Sequence, residues 1–219
     1  ALVEEARAKG IRILTGSAVV EARGTKRVTA ARIAAIDVKA HKVSSPGEWL
    51  DCDLVASSGG YSPVVHLASH LGGKPIWRED ILGFVPGEAP QKRVCVGGVN
   101  GVYSLGDSLA DGFEGGVRAA SEAGFKAVEG VLPKALSRHE EPTLALFQVP
   151  HEKSTARAPK QFVDLQNDVT AAAIELATRE GFESVEHVKR YTALGFGTDQ
   201  GKLGNVNGLA IAARSLNVS

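Results

Sequence analysis

Residues 54–63 read Leu-Val-Ala-Ser-Ser-Gly-Gly-Tyr-Ser-Pro, and this stretch decides the predicted fold class. An apolar run predicts a buried strand over 53–57, and small residues, glycines and a proline follow it. Only small residues let a backbone pass close beside a bound group or a second strand. The candidate binding residues at this turn are Ser57, Ser58 and Gly59. The alternative is an ordinary strand-to-helix turn.

A second glycine-rich turn follows later in the chain. Residues 94–101 read Val-Cys-Val-Gly-Gly-Val-Asn-Gly, with a strand predicted over 93–96 and a helix over 108–124 capped by Asp107 or Ser108. A glycine turn that leads into a helix can bring backbone N–H groups to a pyrophosphate. The candidate cofactor-binding residues here are Gly98, Asn100, Gly101, Leu105 and Asp107. The alternative is a glycine turn that only connects a strand to a helix.

The two turns, in this order, resemble those of flavin- and nicotinamide-linked enzymes built from two dinucleotide-binding domains. In such enzymes the late strand ends in Gly-Asp, and the acid binds the flavin ribityl chain. Val99 stands at that position here, unless the acid has moved to Asp107, so ordinary flavin binding at this loop is not expected. No Gly-x-Gly-x-x-Gly precedes the first predicted helix, which opens at Leu2, and we expect the chain to begin inside a longer polypeptide.

The predicted fold class is α/β, a partial two-dinucleotide-binding-domain (FAD/NAD(P)-binding) fold followed by a small helical unit. We expect a mixed sheet with a short strand over 11–14, and a small antiparallel meander, since residues 18–22 and 27–36 alternate as antiparallel strands do. We also expect a helix over 127–132, and a helix over about 169–179 that Asn167 or Asp168 caps. The predicted domains are a partial FAD/NAD(P)-binding-type domain over 1–136, a linker or arm over 137–161, and the helical unit over 162–219.

Composition excludes several kinds of partner. The 25 Lys and Arg residues balance the 25 Asp and Glu residues, so electrostatic binding to nucleic acid is not expected. No apolar run is long enough to cross a membrane. Cys52 and Cys95 are read as reduced, buried thiols of a cytoplasmic protein.

The histidines predict neither a metal site nor a catalytic group. His66 and His70 have the i, i+4 spacing of zinc ligands, but no third ligand accompanies them. His187 follows Glu183 by four residues on a predicted helix, which favours charge pairing on the helix surface. We predict no bound metal ion and no catalytic residue.

Three motifs near the end of the chain are more specific. Residues 162–170 read Phe-Val-Asp-Leu-Gln-Asn-Asp-Val-Thr, residues 186–192 read Glu-His-Val-Lys-Arg-Tyr-Thr, and residues 198–202 read Thr-Asp-Gln-Gly-Lys. These motifs, in this order, resemble the alpha subunit of heterotetrameric sarcosine oxidases. Residues 51–67 are similar to the second dinucleotide segment of that subunit.

The resemblance implies an oxidoreductase subunit that takes part in the oxidative demethylation of sarcosine, with oxygen as the acceptor. It implies a partial NAD site in this chain, FAD on a flavin-carrying beta subunit, FMN near the subunit interface, and tetrahydrofolate in a later domain. The implied partners are the beta subunit and small gamma and delta subunits. We expect the chain alone to be inactive. The residues expected to contact FMN or the partner are Arg190, Thr192, Thr198, Gln200 and Lys202.

The helical unit also resembles units that bind a [2Fe–2S] cluster in opine and hydrogen-cyanide-forming dehydrogenases. The four cysteine positions of those units fall at Asp164, Gln166, Asp199 and Gly204. Because such clusters need thiolate ligands, no cluster is expected. Two alternatives stay open: the alpha subunit of another amine or opine dehydrogenase, and a non-catalytic module that bridges subunits.

Overall fold

A computed structural model describes residues 2–70, 72–126, 130–135 and 143–218. The chain divides into two compact units, residues 1–58 together with 146–219, and residues 59–145. The elements of the first unit are α1 (Leu2–Ala8), β1 (Ser17–Gly24), β2 (Val28–Asp37), β3 (Lys42–Val43), β4 (Glu48–Asp51), β7 (Phe162–Asp164), β8 (Val169–Thr170), α4 (Ala171–Arg179), α5 (Val185–Thr192) and α6 (Asn205–Leu216). Those of the second are α2 (His66–Ser69), β5 (Ile76–Arg78), β6 (Gly83–Val85), a 3-10 turn (Gly97–Asn100) and α3 (Leu105–Glu122).

The first unit contains the predicted antiparallel meander. Strand β2 lies at its centre and pairs with β1 on one side and with β3 and β4 on the other. Strand β2 buries three small side chains, Ala30 and Ala34 on one face of the sheet and Ala31 on the other. Small side chains allow close packing against the strand.

The helical unit has its own apolar core. Ile174 on α4 and Ile211 on α6 are fully buried, and Val188 on α5 packs with them. A Cβ on Gly208 would lie 2.5 Å from Leu194 Cδ2, so any side chain there would require Leu194 to shift. Spacing of apolar residues by three and four positions produces this arrangement, as the sequence predicts.

The second unit contains a short hairpin and a long helix. Strands β5 and β6 pair in antiparallel fashion, and Trp77 meets Phe84 edge to face, with 5.0 Å between ring centroids. Ser104 caps α3, because its Oγ accepts from Asp107 N at 3.2 Å. A Cβ on Gly115 would overlap Val96, so this glycine lets α3 pack against the segment before the 3-10 turn.

Three predicted strands are wrong. Residues 53–57 form no strand and are exposed, with Leu54 73% accessible. Residues 93–96 and 11–14 also form no strand in the described structure. An apolar run becomes a strand only when a neighbour accepts its backbone hydrogen bonds, and composition does not reveal that neighbour. All ladders among the described residues are antiparallel, so the expected mixed sheet is not seen in them.

Two helix caps also differ from the prediction. Helix α3 begins at Leu105 and is capped by Ser104, ahead of the expected Asp107 or Ser108. Helix α4 is capped by Thr170, whose Oγ1 accepts from Ala173 N at 3.2 Å. The predicted caps Asn167 and Asp168 lie instead in the turn between β7 and β8, where Asp168 has φ of 52°.

The predicted domain limits at 136 and 161 stay a prediction. Residues 136–142, which contain the first part of the predicted linker, lie outside the described residues, as do 127–129 of a predicted helix over 127–132. Residues 146–161 belong to the compact unit that holds the meander and the helical unit. We call them the arm.

The buried isoleucine of α4 provides a test of this core. Ile174→Ala should lower the free energy of unfolding by about 2–5 kcal/mol, because it leaves a cavity among fully buried side chains. Leu176→Ala on the same helix is the matched control, since Leu176 is 38% exposed and Ile174 is 0% exposed. Urea unfolding followed by circular dichroism measures both, and equal losses would contradict the described core.

Candidate functional site

A buried carboxylate lies at the centre of the helical unit's loops. Asp164 is 6% exposed, and it accepts hydrogen bonds from three backbone N–H groups. Its Oδ1 accepts from Gln166 N at 2.8 Å and from Asn167 N at 3.1 Å, while its Oδ2 accepts from Gly195 N at 2.8 Å. Burial raises the pKa of this carboxyl, but the backbone donors outweigh it and hold the pKa below its usual value. Asp164 therefore fastens the loop after α5 to the turn after β7.

Gln166 makes a second connection between the same two segments. Its Oε1 accepts from Thr198 Oγ1 at 3.2 Å and from Asp199 N at 3.4 Å. A Cβ on Gly197 would overlap the Gln166 side chain, so that side chain lies directly over the glycine loop. The two connections bring together positions that are far apart in sequence.

The predicted FMN or partner contacts fall into two groups. Thr198, Gln200 and Lys202 are exposed on the loop between α5 and α6, where Gln200 Nε2 donates to Gly197 O at 2.9 Å. Arg190 is exposed in the last turn of α5.

Thr192 has a local structural role. Its hydroxyl donates to Val188 O at 2.8 Å and accepts from Leu194 N at 3.2 Å. These bonds close the C-terminal end of α5, and the predicted contact of Thr192 with FMN or the partner stays a prediction.

A ring contact in the second unit connects the segments that follow the two glycine turns. Tyr61, just after Gly59 and Gly60, stacks on Tyr103, just after Gly101, with 5.2 Å between ring centroids. Ser57 and Ser58 are exposed and belong to the other unit.

Two hydrogen bonds fix the backbone of the second turn, residues 97–101. Gly97 N donates to Asp111 Oδ2 at 2.7 Å, and Arg78 Nη1 donates to Asn100 O at 3.1 Å. Gly101 has φ of 76°, which a residue with a side chain adopts only with strain. This bracing holds the turn in place before the N-terminus of α3.

The other side of the second turn faces open space. A Cβ on Gly97 would meet nothing within 4 Å, and a Cβ on Gly98 would meet only the Tyr103 ring at 4.0 Å. Leu105 and Asp107 are exposed in the first turn of α3. The backbone at Gly97 and Gly98 can therefore be approached closely by a bound group.

Residues 158–219, which include the helical unit, match the model of the sarcosine oxidase A3 domain, and this segment is called the A3 domain below. The chain is 32% identical over 220 residues to the sarcosine oxidase subunit alpha of Corynebacterium sp. (strain P-1), covering all of this chain and 23% of the relative. The chain is a homologue of sarcosine oxidase alpha subunits. The homologue from Corynebacterium sp. (strain U-96) is 34% identical over 95% of this chain and 22% of its own, and that from Rhizobium meliloti (strain 1021) is 37% identical over 78% and 17%.

The chain thus spans less than a quarter of the length of these curated relatives. Among solved structures, L-proline dehydrogenase from P. horikoshii matches all of this chain and 43% of its own, with a TM-score of 0.67 and 18% identity. That likeness supports the fold alone, and it agrees with the predicted partial α/β class.

The A3 domain and the meander meet at a polar cleft that the sequence does not predict. The cleft has a volume of about 200 Å³. Arg214 of α6 lies beside it and donates to His41 Nε2 at 2.8 Å and to Gln148 Oε1, while its Nη2 lies 3.8 Å from Glu175 Oε1. Burial and the nearby guanidinium lower the pKa of His41. The lining residues are His41, Gln148, Val149, Pro150, His151, Lys153, Ser154, Thr155, Gln161, Glu175 and Arg214.

A second arginine joins the arm to the meander. Arg32 of β2 donates to both carboxylate oxygens of Glu152, at 2.7 and 2.9 Å, and its Nε lies 3.4 Å from Glu21 Oε2. This bidentate contact lowers the pKa of Glu152 to about 2. Its partners are 120 residues apart in sequence, which explains why no motif reveals it.

The structure also gives the positions of three histidines and of the two cysteines that the sequence analysis considers. His66 and His70 lie at the two ends of α2, and His187 is exposed on α5 with its ring 6.5 Å from that of Phe182. Both cysteines are free and half-buried, rather than buried as expected. In residues 2–70, 72–126, 130–135 and 143–218, no group of three or more His, Cys, Asp or Glu residues could hold a metal ion. Within those ranges, no helix has the length and apolar character needed to cross a bilayer.

The Arg32–Glu152 contact predicts a specific pH dependence. The folded pKa of Glu152 is lowered from 4.5 to about 2, so its stabilisation is complete above about pH 4.5 and is lost as the pH falls towards 2. Glu152→Gln should therefore lower the free energy of unfolding at pH 7, by about 1 kcal/mol or less because the carboxylate is 43% exposed.

The difference between wild type and Glu152→Gln should shrink as the pH falls from about 4.5 to 2, because protonation removes the same charge. Urea unfolding at several pH values measures it. Glu183→Gln, an exposed glutamate just before α5, is the control, and it should show no such pH-dependent difference. A gap between wild type and Glu152→Gln that widens on acidification would contradict the assignment.

Proposed function

We propose that this chain is part of the alpha subunit of a sarcosine oxidase-type oxidoreductase, where it contributes to NAD binding and docks on a flavin-carrying subunit. The observation that carries the proposal is homology to sarcosine oxidase alpha subunits along the whole chain, with the A3 domain at its end. The proposed reaction of the whole enzyme is oxidative demethylation of sarcosine with oxygen as acceptor. The proposed setting is the cytoplasm.

The NAD part of the proposal rests on the two glycine turns. In the second unit Tyr61 stacks on Tyr103, and Gly97 and Gly98 turn an open side to solvent. A pyrophosphate favours close backbone approach and the positive end of a helix dipole, which α3 supplies beside this turn. The residues of the second unit that would line the dinucleotide are Gly59, Gly98, Asn100, Gly101, Leu105 and Asp107, while the contacts predicted for Ser57 and Ser58 stay a prediction. They would bind and orient it, while hydride chemistry belongs to the nicotinamide.

The docking part of the proposal rests on the loop between α5 and α6 of the A3 domain. Thr198, Gln200 and Lys202 are polar and exposed, and large apolar side chains on the neighbouring loops, Leu165, Phe196 and Leu203, are at least half exposed. An apolar surface that carries hydroxyl, amide and ammonium groups is typical of a protein interface. FMN at the interface would take its phosphate or ring-edge contacts from Arg190, Thr198, Gln200 and Lys202. The proposed partners are the FAD-carrying beta subunit with small gamma and delta subunits, and a later domain of the same subunit would hold tetrahydrofolate.

Another amine or opine dehydrogenase is the second candidate, because the helical unit at residues 162–219 also resembles units of such dehydrogenases. The two candidates differ in the substrate that reduces the assembled enzyme. Sarcosine should reduce the flavin of the complex and start oxygen uptake, whereas proline and opines should not. The isolated chain should show no activity with any of them.

Gly98→Ala tests the NAD site. A methyl group at Gly98 fits the folded backbone, so stability should change little, but it would stand between the turn and the pyrophosphate. NAD affinity of the full-length alpha subunit should fall about tenfold, equivalent to about 1.4 kcal/mol. Calorimetric titration with NAD measures it.

The matched control for this test is Gly116→Ala. Gly116 lies on α3, where a Cβ would also meet nothing within 4 Å, and its replacement should leave NAD affinity unchanged. If wild type fails to bind NAD while a flavoprotein still co-purifies, the chain acts only as a bridging module. Equal affinities of wild type and Gly98→Ala would remove this turn from the site.

Arg190→Gln tests the docking surface. Arg190 is exposed in the last turn of α5, and Arg179 is exposed in the last turn of α4 of the same A3 domain. Loss of a charged contact at the interface should raise the Kd for the flavin-carrying subunit about tenfold for Arg190→Gln, while Arg179→Gln should not change it. Co-purification of the two subunits, read by flavin absorbance, measures the effect, and equal effects of the two variants would contradict this surface.

A further inference from the structure

The helical unit resembles units in which four cysteines hold a [2Fe–2S] cluster. By that resemblance the four positions fall at Asp164 and Gln166 before α4, and at Asp199 and Gly204 between α5 and α6. Whether such a cluster fits depends on what occupies the space between these two segments.

The space at the first two positions is filled by hydrogen-bonded side chains. Asp164 Oδ2 accepts from Gly195 N at 2.8 Å, in a buried contact. Gln166 reaches across to Thr198 Oγ1 and Asp199 N, and its side chain lies directly over Gly197. Each loop is therefore held by the other through oxygen acceptors and backbone donors.

The fourth position has no room for a cysteine. A Cβ on Gly204 would lie 2.5 Å from Val163 O and 3.3 Å from Val163 C, closer than side chains tolerate. Because Val163 O belongs to the backbone of β7, it cannot move away as a flexible side chain would. A thiolate at this position would need the backbone to shift.

The third position is also committed to the fold of its own loop. Asp199 Oδ1 accepts from Gly201 N at 3.1 Å, and its Oδ2 accepts from Leu203 N at 3.2 Å. Lys202 Nζ donates to Asp199 O at 3.1 Å. Asp199 thus shapes the turn that leads into α6.

We infer that this A3 domain does not accept an iron–sulfur cluster, and that Asp164 and Gln166 are positioning residues which hold its two loops together in place of metal–thiolate bonds. We call this pair of contacts the loop lock. The loop lock fixes the positions of Thr198, Gln200 and Lys202, and it does so for any ligand or partner that these residues contact. The inference therefore stands apart from the proposed function, and its tests use neither NAD nor a partner subunit.

Asp164→Asn removes one of the two contacts of the loop lock and leaves the other in place. The amide can keep its oxygen at Oδ1, towards Gln166 N and Asn167 N, but then its NH₂ group replaces Oδ2 and faces Gly195 N–H, donor against donor. Hydrogen exchange in residues 194–204 of the 219-residue chain should rise about tenfold or more, since a hydrogen bond to a charged acceptor is lost. Exchange in α4 should stay as in wild type, which shows that the core is intact.

Asp168→Asn is the matched control. Asp168 lies in the same turn between β7 and β8, is exposed, and should leave exchange in residues 194–204 unchanged. Gln166→Ala is the second variant, in case Asp164→Asn loses protection throughout. Gln166 is exposed, so its removal should spare the core and raise exchange at Asp199, whose N–H donates to the Gln166 side chain. Unchanged exchange in Gln166→Ala, or equal behaviour of Asp164→Asn and Asp168→Asn, would overturn the loop lock.

Reconstitution tests the cluster directly. Wild-type chain incubated anaerobically with ferrous iron, sulfide and thiol should retain no stoichiometric iron or sulfide and show no visible cluster absorption. A variant that combines Asp164→Cys, Gln166→Cys and Asp199→Cys supplies three thiolates without the Gly204 clash, and it is the comparison for weak, partly ligated iron. Stoichiometric iron and sulfide with cluster absorption in the wild-type chain would overturn the inference.

Discussion

The carboxylate of Asp164 is the constraint on which the A3 domain depends. Burying a charged group to 6% exposure is costly when it has no partners. Three backbone N–H groups donate to the Asp164 carboxylate and offset this cost. Two of these donors come from its own turn and one comes from Gly195, beyond α5. The cost of leaving the charge unpaired is therefore what ties the two loops to each other.

The core below these loops can vary more freely than the loops themselves. Ile174, Val188 and Ile211 pack as apolar side chains, whereas a Cβ on Gly204 would lie 2.5 Å from the backbone oxygen of Val163. Cores tolerate substitutions that conserve volume, but a close contact with backbone cannot be relieved by the movement of a side chain.

Helices of the A3 domain and the β1–β2 hairpin could be predicted from the sequence because their signals are local. Apolar residues recur three and four positions apart along α4 and α6, and a glycine separates two alternating segments in the hairpin. The caps were predicted less well. Asp168 is a good N-cap residue type, but β8 pairs with β7 at Val169 and moves the start of α4 to the residue after Thr170.

Features that depend on distant partners could not be predicted. The run at 53–57 is apolar enough for a buried strand, but it is exposed and unpaired in the described structure. The short hairpin of β5 and β6 has only three residues in each strand, among glycines and prolines that indicate irregular structure. The polar cleft depends on Arg214 and His41, which are 173 residues apart in sequence. For the glycine turns, the sequence predicts the residue types, whereas the contact between Tyr61 and Tyr103, which follow the two turns, is seen only in the structure.

Two arginines explain why the meander and the A3 domain form one compact unit although residues 59–145 separate them in sequence. Arg32 reaches from the sheet to Glu152 of the arm, and Arg214 reaches from α6 to His41 and to Gln148 of the arm. Each guanidinium meets more than one acceptor at once, which the single ammonium of a lysine does with poorer geometry. Because the arm is held from both directions, a displacement of the A3 domain against the meander must break at least one of these contacts. These contacts hold the A3 domain, with its loop lock, against the sheet. The exposed residues of the loop between α5 and α6 therefore keep a defined position relative to the meander.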